Sequence, residues 1–452
     1  MANRKVGLNK EQNFELILRL FEHGVSTIQP KNLLGNFLSV NDKTIIIKDK
    51  LNKKIYKNIN RIFVICIGKA SVDMAITAKK ILAKSTNKIS KGIIVVNKEN
   101  FKKISGFTCF CSGHPIPDSN GLKASKYIEK VLTNLHSKDL VLVLISGGGS
   151  AMLPHPVDKI SLKDKIKMNT LLLESGANIK EINCVRKHLS KIKGGNLAKM
   201  CFPAQVHGLI LSDVIGDDLG SIASGMTTFD NSKFSDVSKI LKKYNLWQKT
   251  PSSVKNHVLK GINSKNLETP KKNNPIFINV KNTLIGSNYI CLKNIQSYCR
   301  ENKIKSKILF KNIDMDVKDF SKKFINKIKS LKFNSPTILI SGGETTVKIS
   351  GNGKGGRNQE FALHFLNEMK KKMPNKKFFL ISAGTDGKDG PTDAAGGIVN
   401  HESLTKIKEK KINLFEELKK NNSYKVLKKI DSLVIIKSTN TNVADIQILL
   451  IP

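Results

Sequence analysis

The chain has 452 residues, a length that predicts two or three domains, because single hydrophobic cores stop growing near about 250–300 residues. Hydrophobic residues make up 40% and charged residues 25%, with 13 Pro and 31 Gly, which excludes a disordered, collagen-like or low-complexity chain. The formal net charge is +41; a field of that sign favours polyanions, yet 71 of the 77 basic residues are Lys spread along the whole chain and only six are Arg, whereas base and phosphate recognition favours Arg. No nucleic-acid partner is expected. The longest apolar runs, such as Leu140 to Ile145 and Ile446 to Ile451, are far short of the roughly 18–20 residues that span a bilayer, so no membrane partner is expected either. The opening Met1-Ala-Asn-Arg-Lys lacks the apolar core of a secretory leader, and the seven cysteines form no C-x-x-C pair. The expected compartment is the cytoplasm.

Apolar runs alternate with amphipathic segments along almost the whole chain, the pattern of βαβ units, so the fold class is α/β. An opening helix is predicted near Lys10 to His23, then strands at Ile62 to Ile67, Gly92 to Val96, Leu140 to Ile145 and Val206 to Leu211. Helices fall between them at Val72 to Ala83, Leu122 to His136, and Leu162 to Met200 in two pieces broken near Gly176. From Ser232 to Asn274 the sequence turns polar and Lys-rich, which places a domain boundary within 245–275. Beyond it the pattern restarts: strand Ile276 to Val280, helix Ile290 to Asn302, strand Lys307 to Leu309, helix Val317 to Leu331. Strands Thr337 to Ile340 and Thr345 to Ile349, helix Asn358 to Lys371, strand Phe378 to Ile381 and two late strands near Leu433 to Ile436 and Ile446 to Leu450 complete the prediction.

Small-residue clusters follow the strands at their C-terminal ends, where open α/β sheets bind ligands. The first is Gly68-Lys69-Ala70-Ser71, a turn into a helix with an ammonium beside free N–H groups, suited to a phosphate or carboxylate; Phe63 stands where a Walker A loop needs its first Gly. The second is Ser146-Gly147-Gly148-Gly149-Ser150-Ala151, whose glycines let a backbone wrap an anion or make a tight turn. His114, in a loop with Pro115 and Pro117, is either a general acid or base or a structural residue. After the next strand come Asp213, Asp217 and Asp218, where a carboxylate can hold a divalent cation, take a proton or cap a helix.

Further on stand Ser341-Gly342-Gly343-Glu344-Thr345-Thr346 and Gly351-Asn352-Gly353-Lys354-Gly355-Gly356-Arg357-Asn358-Gln359-Glu360. The latter satisfies G-x-G-x-x-G, but its helix opens with four large polar residues and no acidic residue follows at the spacing a dinucleotide site needs. An Arg at such a helix start suits a carboxylate or a transferring phosphoryl group. Finally, Gly384 to Gly396 carries Asp386, Asp389 and Asp393 among glycines, without EF-hand spacing.

Taken together and in order, these segments resemble the class II glycerate 2-kinases, whose C-terminal part is called the MOFRL domain. The carrying segments are Gly68 to Ser71, Gly113 to Asp118, Ser146 to Ala151, Asn183 to Ser190 with Lys193-Gly194-Gly195, Ser212 to Asp218, Ser341 to Thr346, Gly355 to Glu360 and Gly384 to Gly396. The resemblance implies ATP-dependent phosphorylation of D-glycerate at its 2-hydroxyl with Mg²⁺. It also implies a Rossmann-like N-terminal domain over 1–250 with a parallel sheet, a smaller C-terminal α/β MOFRL domain over 275–452, and an active site in the cleft between them. On it, Lys69 and Arg357 match the family's proposed catalytic pair, with Asp213 as a third catalytic group. Gly68, Ser146, Gly147, Gly148, Gly149 and Ser150 would bind phosphate and nucleotide, Arg186, Glu344 and Asn358 the acceptor, and Asp213, Asp386 and Asp389 the metal; which of Asp213 and Asp386 is ligand and which is base stays open. Met226 departs from the family's usual Pro and Asn440 from its usual Gly, a change that Asn tolerates because it adopts left-handed backbone more readily than other non-Gly residues.

The chemistry agrees, since phosphoryl transfer asks mainly for positioning and charge neutralisation, and closure of the domains on substrate is expected. The alternatives are a nicotinamide-dependent hydroxypyruvate reductase, a kinase for a related small hydroxyacid, and a non-catalytic polyanion binder. The oligomeric state stays open, a homodimer being one form the chain allows.

Overall fold

The computed structural model describes residues 9–49, 52–85 and 89–452; the opening pentapeptide read for a leader lies outside them. The chain divides into two compact units, one of Pro30–Ile285 and one that joins the residues up to Gln29 with Gly286–Pro452. This differs from the expected 1–250 and 275–452. Helix Lys10–Thr27 buries Leu16, Ile17, Leu20 and Phe21 and belongs with the C-terminal unit, where Phe14 meets Phe379 edge-on at 5.1 Å and Gly24 lies against Ile295 and Cys291. The polar stretch expected at the boundary is instead folded into the first unit. Helices Phe234–Lys243 and Ser252–Asn263 turn Val237, Ile240, Leu241, Val254 and Val258 inward against Met168, Leu172 and Val185, with Phe234 buried against His188 and His257, so a sparse apolar stripe at helical spacing outweighs the lysines around it.

The Pro30–Ile285 unit opens with a small antiparallel meander, β1 (Leu38–Asn41), β2 (Thr44–Lys48) and β3 (Lys53–Tyr56). Its main sheet holds β4 (Arg61–Ile67), β5 (Ile89–Val96), β6 (Phe107–Cys111), β7 (Asp139–Ile145), β8 (Gln205–Leu211) and β9 (Val280–Gly286), in the order β6-β5-β4-β7-β8-β9. From β6 to β8 every pairing is parallel. All seven residues of β7 are buried, as a strand covered on both faces requires, and each large aliphatic there contributes about 1.5–3 kcal/mol of burial. The strand expected at Ile276 to Val280 starts later: Asn274 caps a 3₁₀ turn over Pro275–Asn279 by accepting the Ile276 N–H at 3.2 Å, and β9 follows it. The segment Leu162 to Met200 makes three helices, Leu162–Glu174, Ile179–His188 and Asn196–Cys201. Among the described residues no helix is long and apolar enough to cross a membrane.

The other unit carries a mixed sheet of β10 (Ser306–Asp316), β11 (Thr337–Thr346), β12 (Phe379–Gly384), β13 (Gly396–Asn400), β14 (Leu433–Val434) and β15 (Asp445–Ile451), ordered β10-β11-β15-β12-β13-β14. Only β10 and β11 are parallel. The two strands expected on either side of Ser341-Gly342-Gly343 are one, because those glycines stay in register opposite Ile446 and Asp445 of β15. Phe320, Phe324, Phe361 and Phe365 interlock beneath the sheet at ring separations of 5.0 to 6.0 Å. Asn440 has φ +56°, the left-handed backbone its replacement of Gly requires.

One buried ion pair fixes the helical layer of the first unit. His188, at the end of helix Ile179–His188, reaches the Cys184 carbonyl at 2.8 Å and Glu268 at 3.3 Å. Burial disfavours its charged form, but these partners outweigh burial and raise its pKa from 6.5 to about 9. A group whose folded pKa is raised stabilises fully below its unfolded pKa and loses that contribution as pH climbs through the folded one. The stability gap between the wild type and His188→Gln is therefore expected to shrink by about 3 kcal/mol from pH 6 to pH 10. Lys165, whose pKa burial lowers to about 7, tilts the absolute curves the opposite way, so the difference between the two denaturation midpoints is the quantity to follow; a gap independent of pH contradicts the charged-histidine reading.

Candidate functional site

The strand order places a topological switch between β4 and β7: the chain runs outward from β4 to β5 and β6, then returns to β7 on the other side. Ligands of open α/β sheets bind beyond the carboxyl ends at such a point. The register aligns Ile67 with Ile145 and Ile145 with Ile210, so Gly68-Lys69, Ser146 to Ser150 and Ser212-Asp213 emerge side by side.

The two loops are stitched together. Lys69 donates its N–H to the Gly147 carbonyl at 2.9 Å, and the buried Ser146 hydroxyl accepts the Ala70 N–H at 3.0 Å. Gly68 has φ +113°, and a Cβ there would stand 2.4 Å from the Ser146 carbonyl; at Gly147 a Cβ would lie 2.2 Å from Asp213 Oδ2. Only glycine admits this close approach. Burial pushes the Asp213 carboxyl up, opposed by the Lys69 charge and the Gly148 N–H. Burial and then Lys69 push His114 down, so its imidazole is neutral near neutrality. A cation, a carboxylate and a neutral imidazole thus surround a glycine backbone.

Beside this edge lies a cavity of about 310 Å³. Met168, Leu172 and Val185 give it an apolar wall, and His114, Lys165, Arg186 and Lys193 line the rest. Lys193 is 1% exposed and donates to the Ser150 carbonyl at 2.6 Å and the Ser150 hydroxyl at 3.1 Å. Lys165 donates to the Leu189 carbonyl at 3.0 Å, and Arg186 grips Asn169 Oδ1 through Nε at 2.7 Å and through Nη2. Burial lowers all three, Lys165 to about 7.

In the other unit the register brings Gly343 and Gly384 opposite Asp445, gathering Glu344, Asp386 and Asp445 at one end of the sheet. Arg357, the first residue of helix Arg357–Lys372, meets the buried Asp445 in a fork, Nε to Oδ2 at 2.6 Å and Nη2 to Oδ1 at 3.1 Å, and Nη1 pairs with Glu344. Burial would lower the guanidinium pKa, but Asp445 and Glu344 raise it. Asp389 caps the helix, accepting the Asn358 and Gln359 N–H groups at 3.1 and 2.9 Å. Burial and Asp445 push its pKa up to about 7 despite those bonds.

Among the expected residues, Gly68, Lys69, Ser146 to Ser150 and Asp213 therefore share one edge, with Arg186 in the adjoining cavity, and Arg357, Glu344 and Asp386 share the other. Asn358 and Asp389 are spent within the fold. Asn358 is 1% exposed and accepts the Ser382 hydroxyl at 2.7 Å, so it braces the arginine's helix where acceptor contact was expected; Asp389 caps where a metal ligand was expected. The G-x-G-x-x-G segment is no dinucleotide turn: β11 ends at Thr346, and Asn421 Oδ1 takes the Ser350 and Gly351 N–H groups. Sequence reasoning missed Asp445 and Lys165, and met Lys193 only as part of a matching segment, with no role assigned to it. Lys165 stands at i, i+3 and i+7 with Met168 and Leu172, a lysine on an apolar stripe, and Asp445 is the polar residue that opens the last apolar run.

Among the described residues no group of three or more His, Cys, Asp or Glu is placed to hold a metal. That donor set still fits Mg²⁺, which usually takes one or two carboxylates and completes its shell with water and substrate phosphates. In the first unit Asp213, beside the glycine loop, is a carboxylate that could serve; in the other unit it is Asp386, whose Oδ1 accepts the Lys388 N–H at 3.0 Å.

Residues 16–259 match the family described as a domain of unknown function, DUF4147, and residues 337–445 match the MOFRL family. The chain is 38% identical to a glycerate 2-kinase of Pyrococcus horikoshii over 97% of both chains. It is 39% identical to a D-glycerate 2-kinase of Thermotoga maritima over 87% of this chain and 91% of that one. The crystal structure of glycerate kinase from Thermotoga maritima superposes with a TM-score of 0.85 at 36% identity, covering 98% of this chain and all of the other.

Proposed function

Because the chain belongs to the glycerate 2-kinase family, with a DUF4147 region followed by a MOFRL domain, we propose that it transfers the ATP γ-phosphoryl group to the 2-hydroxyl of D-glycerate, giving 2-phosphoglycerate and ADP. The observation that carries this reading is the paired glycine turns at the switch point of the parallel sheet, with Lys69 on one and Asp213 packed against the other. Phosphoryl transfer needs a backbone that can approach phosphate oxygens closely, a cation on them, and a carboxylate for metal or proton.

In this reading the glycine backbone of Gly147 to Ser150 and the Lys69 ammonium hold the donor's phosphates, and Arg357 neutralises charge on the acceptor carboxylate or the moving phosphoryl group. Glu344 and Asp445 aim its guanidinium. Asp213, whose carboxyl burial pushes up, takes the acceptor proton or ligates the metal, with Asp386 in the complementary role. Mg²⁺, when bound, supplies neutralisation of phosphate charge. In this reading the protein works in the cytoplasm, a reducing compartment that suits its free cysteines.

The test is to incubate the protein with D-glycerate, ATP and Mg²⁺ and to couple the product through enolase, which accepts 2-phosphoglycerate and not the 3-isomer. Signal without added phosphoglycerate mutase is expected. Signal only with mutase moves the transfer to the other hydroxyl, and absence of ADP sinks the kinase reading in favour of the reductase, checked by nicotinamide absorbance with hydroxypyruvate.

A further inference from the structure

Lys165, Arg186 and Lys193 converge from two helices and a loop on one cavity, and among the described residues no carboxylate pairs with any of them. Buried cations are normally paired, because an unpaired one forfeits its hydration. Here only neutral acceptors answer them: the carbonyls of Leu189 and Ser150, the Ser150 hydroxyl and the Asn169 amide oxygen. Donors are also left over. Each ammonium has three N–H bonds, of which Lys165 uses one and Lys193 two, and Arg186 Nη1 has no protein partner among the described residues.

We propose that this cavity is a binding site for a phosphoryl dianion. One carboxylate brings a single charge and two oxygens to three cationic side chains, whereas a phosphate monoester brings close to two charges, and its terminal oxygens can accept from both lysines and the guanidinium at once. At about 310 Å³ the cavity stands at the small end of ligand sites, which suits a compact phosphorylated acid better than a whole nucleotide. Its position beside Gly148 and Ser150 puts it next to the loop assigned to the donor's phosphates. The dianion can come from the phosphoester of the product or from the end of the donor's phosphate chain. Naming either source rests on the kinase reading above; the anion site itself does not.

The test is calorimetric titration of the full-length protein, without turnover, using inorganic phosphate, 2-phosphoglycerate, ADP and D-glycerate in turn. Arg186→Gln and Lys193→Met are each expected to weaken 2-phosphoglycerate binding by about 30-fold or more. Lys193→Met is also expected to raise the thermal midpoint of the ligand-free protein, since removing an unpaired buried charge relieves its desolvation. Loss for phosphate and 2-phosphoglycerate with ADP unchanged assigns the site to the product's phosphoester, and loss extending to ADP assigns it to the donor's phosphates. Unchanged phosphate affinity in both folded variants, or loss confined to D-glycerate, overturns the proposal. An enzyme with no kinase activity that still binds phosphate through these residues would keep the anion site and remove the kinase reading.

Discussion

Replacing Lys69 by alanine is expected to lower kcat/KM by about 10³-fold, near 4 kcal/mol of transition-state stabilisation, with little change in thermal midpoint. The stability expectation follows from what Lys69 does within the fold: its backbone N–H ties the β4 turn to Gly147, a bond the substitution keeps. Its side chain is engaged electrostatically, depressing His114 and opposing the upward push of burial on Asp213. Two readouts accompany the rate. Without the ammonium, the His114 imidazole should titrate at higher pH and the Asp213 carboxyl should protonate more readily, so the acid limb of the pH–rate profile should move up. A variant with near wild-type kcat/KM removes Lys69 from the chemistry; one with low activity and a collapsed midpoint shows that it acts through the fold.

Substitution of Asp445 by alanine is expected to cut kcat by about 10²-fold or more and to destabilise by about 3 kcal/mol, toward the low end for breaking a buried pair. The low end is appropriate because Arg357 retains Glu344 and remains one-third exposed. Asp445 is a positioning residue: it is buried and reaches the reaction only through the fork that holds the guanidinium. Asp445→Asn separates shape from charge. It keeps an acceptor for Nε, so stability should recover to within about 1–2 kcal/mol, while one arm of the fork meets an amide N–H and the arginine is mis-aimed. Loss of kcat with KM nearly constant in Asp445→Asn is the expected pattern. Wild-type kcat in both variants would show that the fork has no part in aiming Arg357.

Much of this was legible in the sequence because its cause is local. The apolar run Leu140 to Ile145 can only be a strand covered on both faces, and glycines directly after it mark a turn. Gly68, Gly147, Lys69 and Asp213 then find one another through strand register, which repeated βαβ units impose. What was not legible depends on distant partners. Asp389 and Asn358 looked like ligands because acidic and amide residues among glycines serve caps and metal sites alike; only the approach of Gly356 and the Gln359 N–H decides for the cap. Lys165 and Lys193 were hidden among 71 lysines, most on solvated faces, and their meaning comes from packing that pairs them with carbonyls. The helices at 234–263 were obscured by lysines around sparse apolar stripes. The continuous β11 was split because Gly342-Gly343 reads as a turn unless β15 lies alongside.

The place of β15 bears on the order in which the protein can be made. Everything in the Pro30–Ile285 unit is contiguous, so that unit can fold as soon as its own residues are synthesised. The other unit cannot. Its sheet has β15 between β11 and β12, and helix Lys10–Thr27 packs on β12 and β15. A segment made at the start must therefore wait, apolar stripe exposed, until residues 445–451 arrive to complete the surface that receives it. Contacts of such high sequence separation form late and slowly, and the same strand delivers Asp445 to Arg357. Assembly of the arginine fork is thus expected among the last events of folding, and a nascent or truncated chain that lacks this strand would hold a finished glycine-loop edge while Arg357 stayed unaimed.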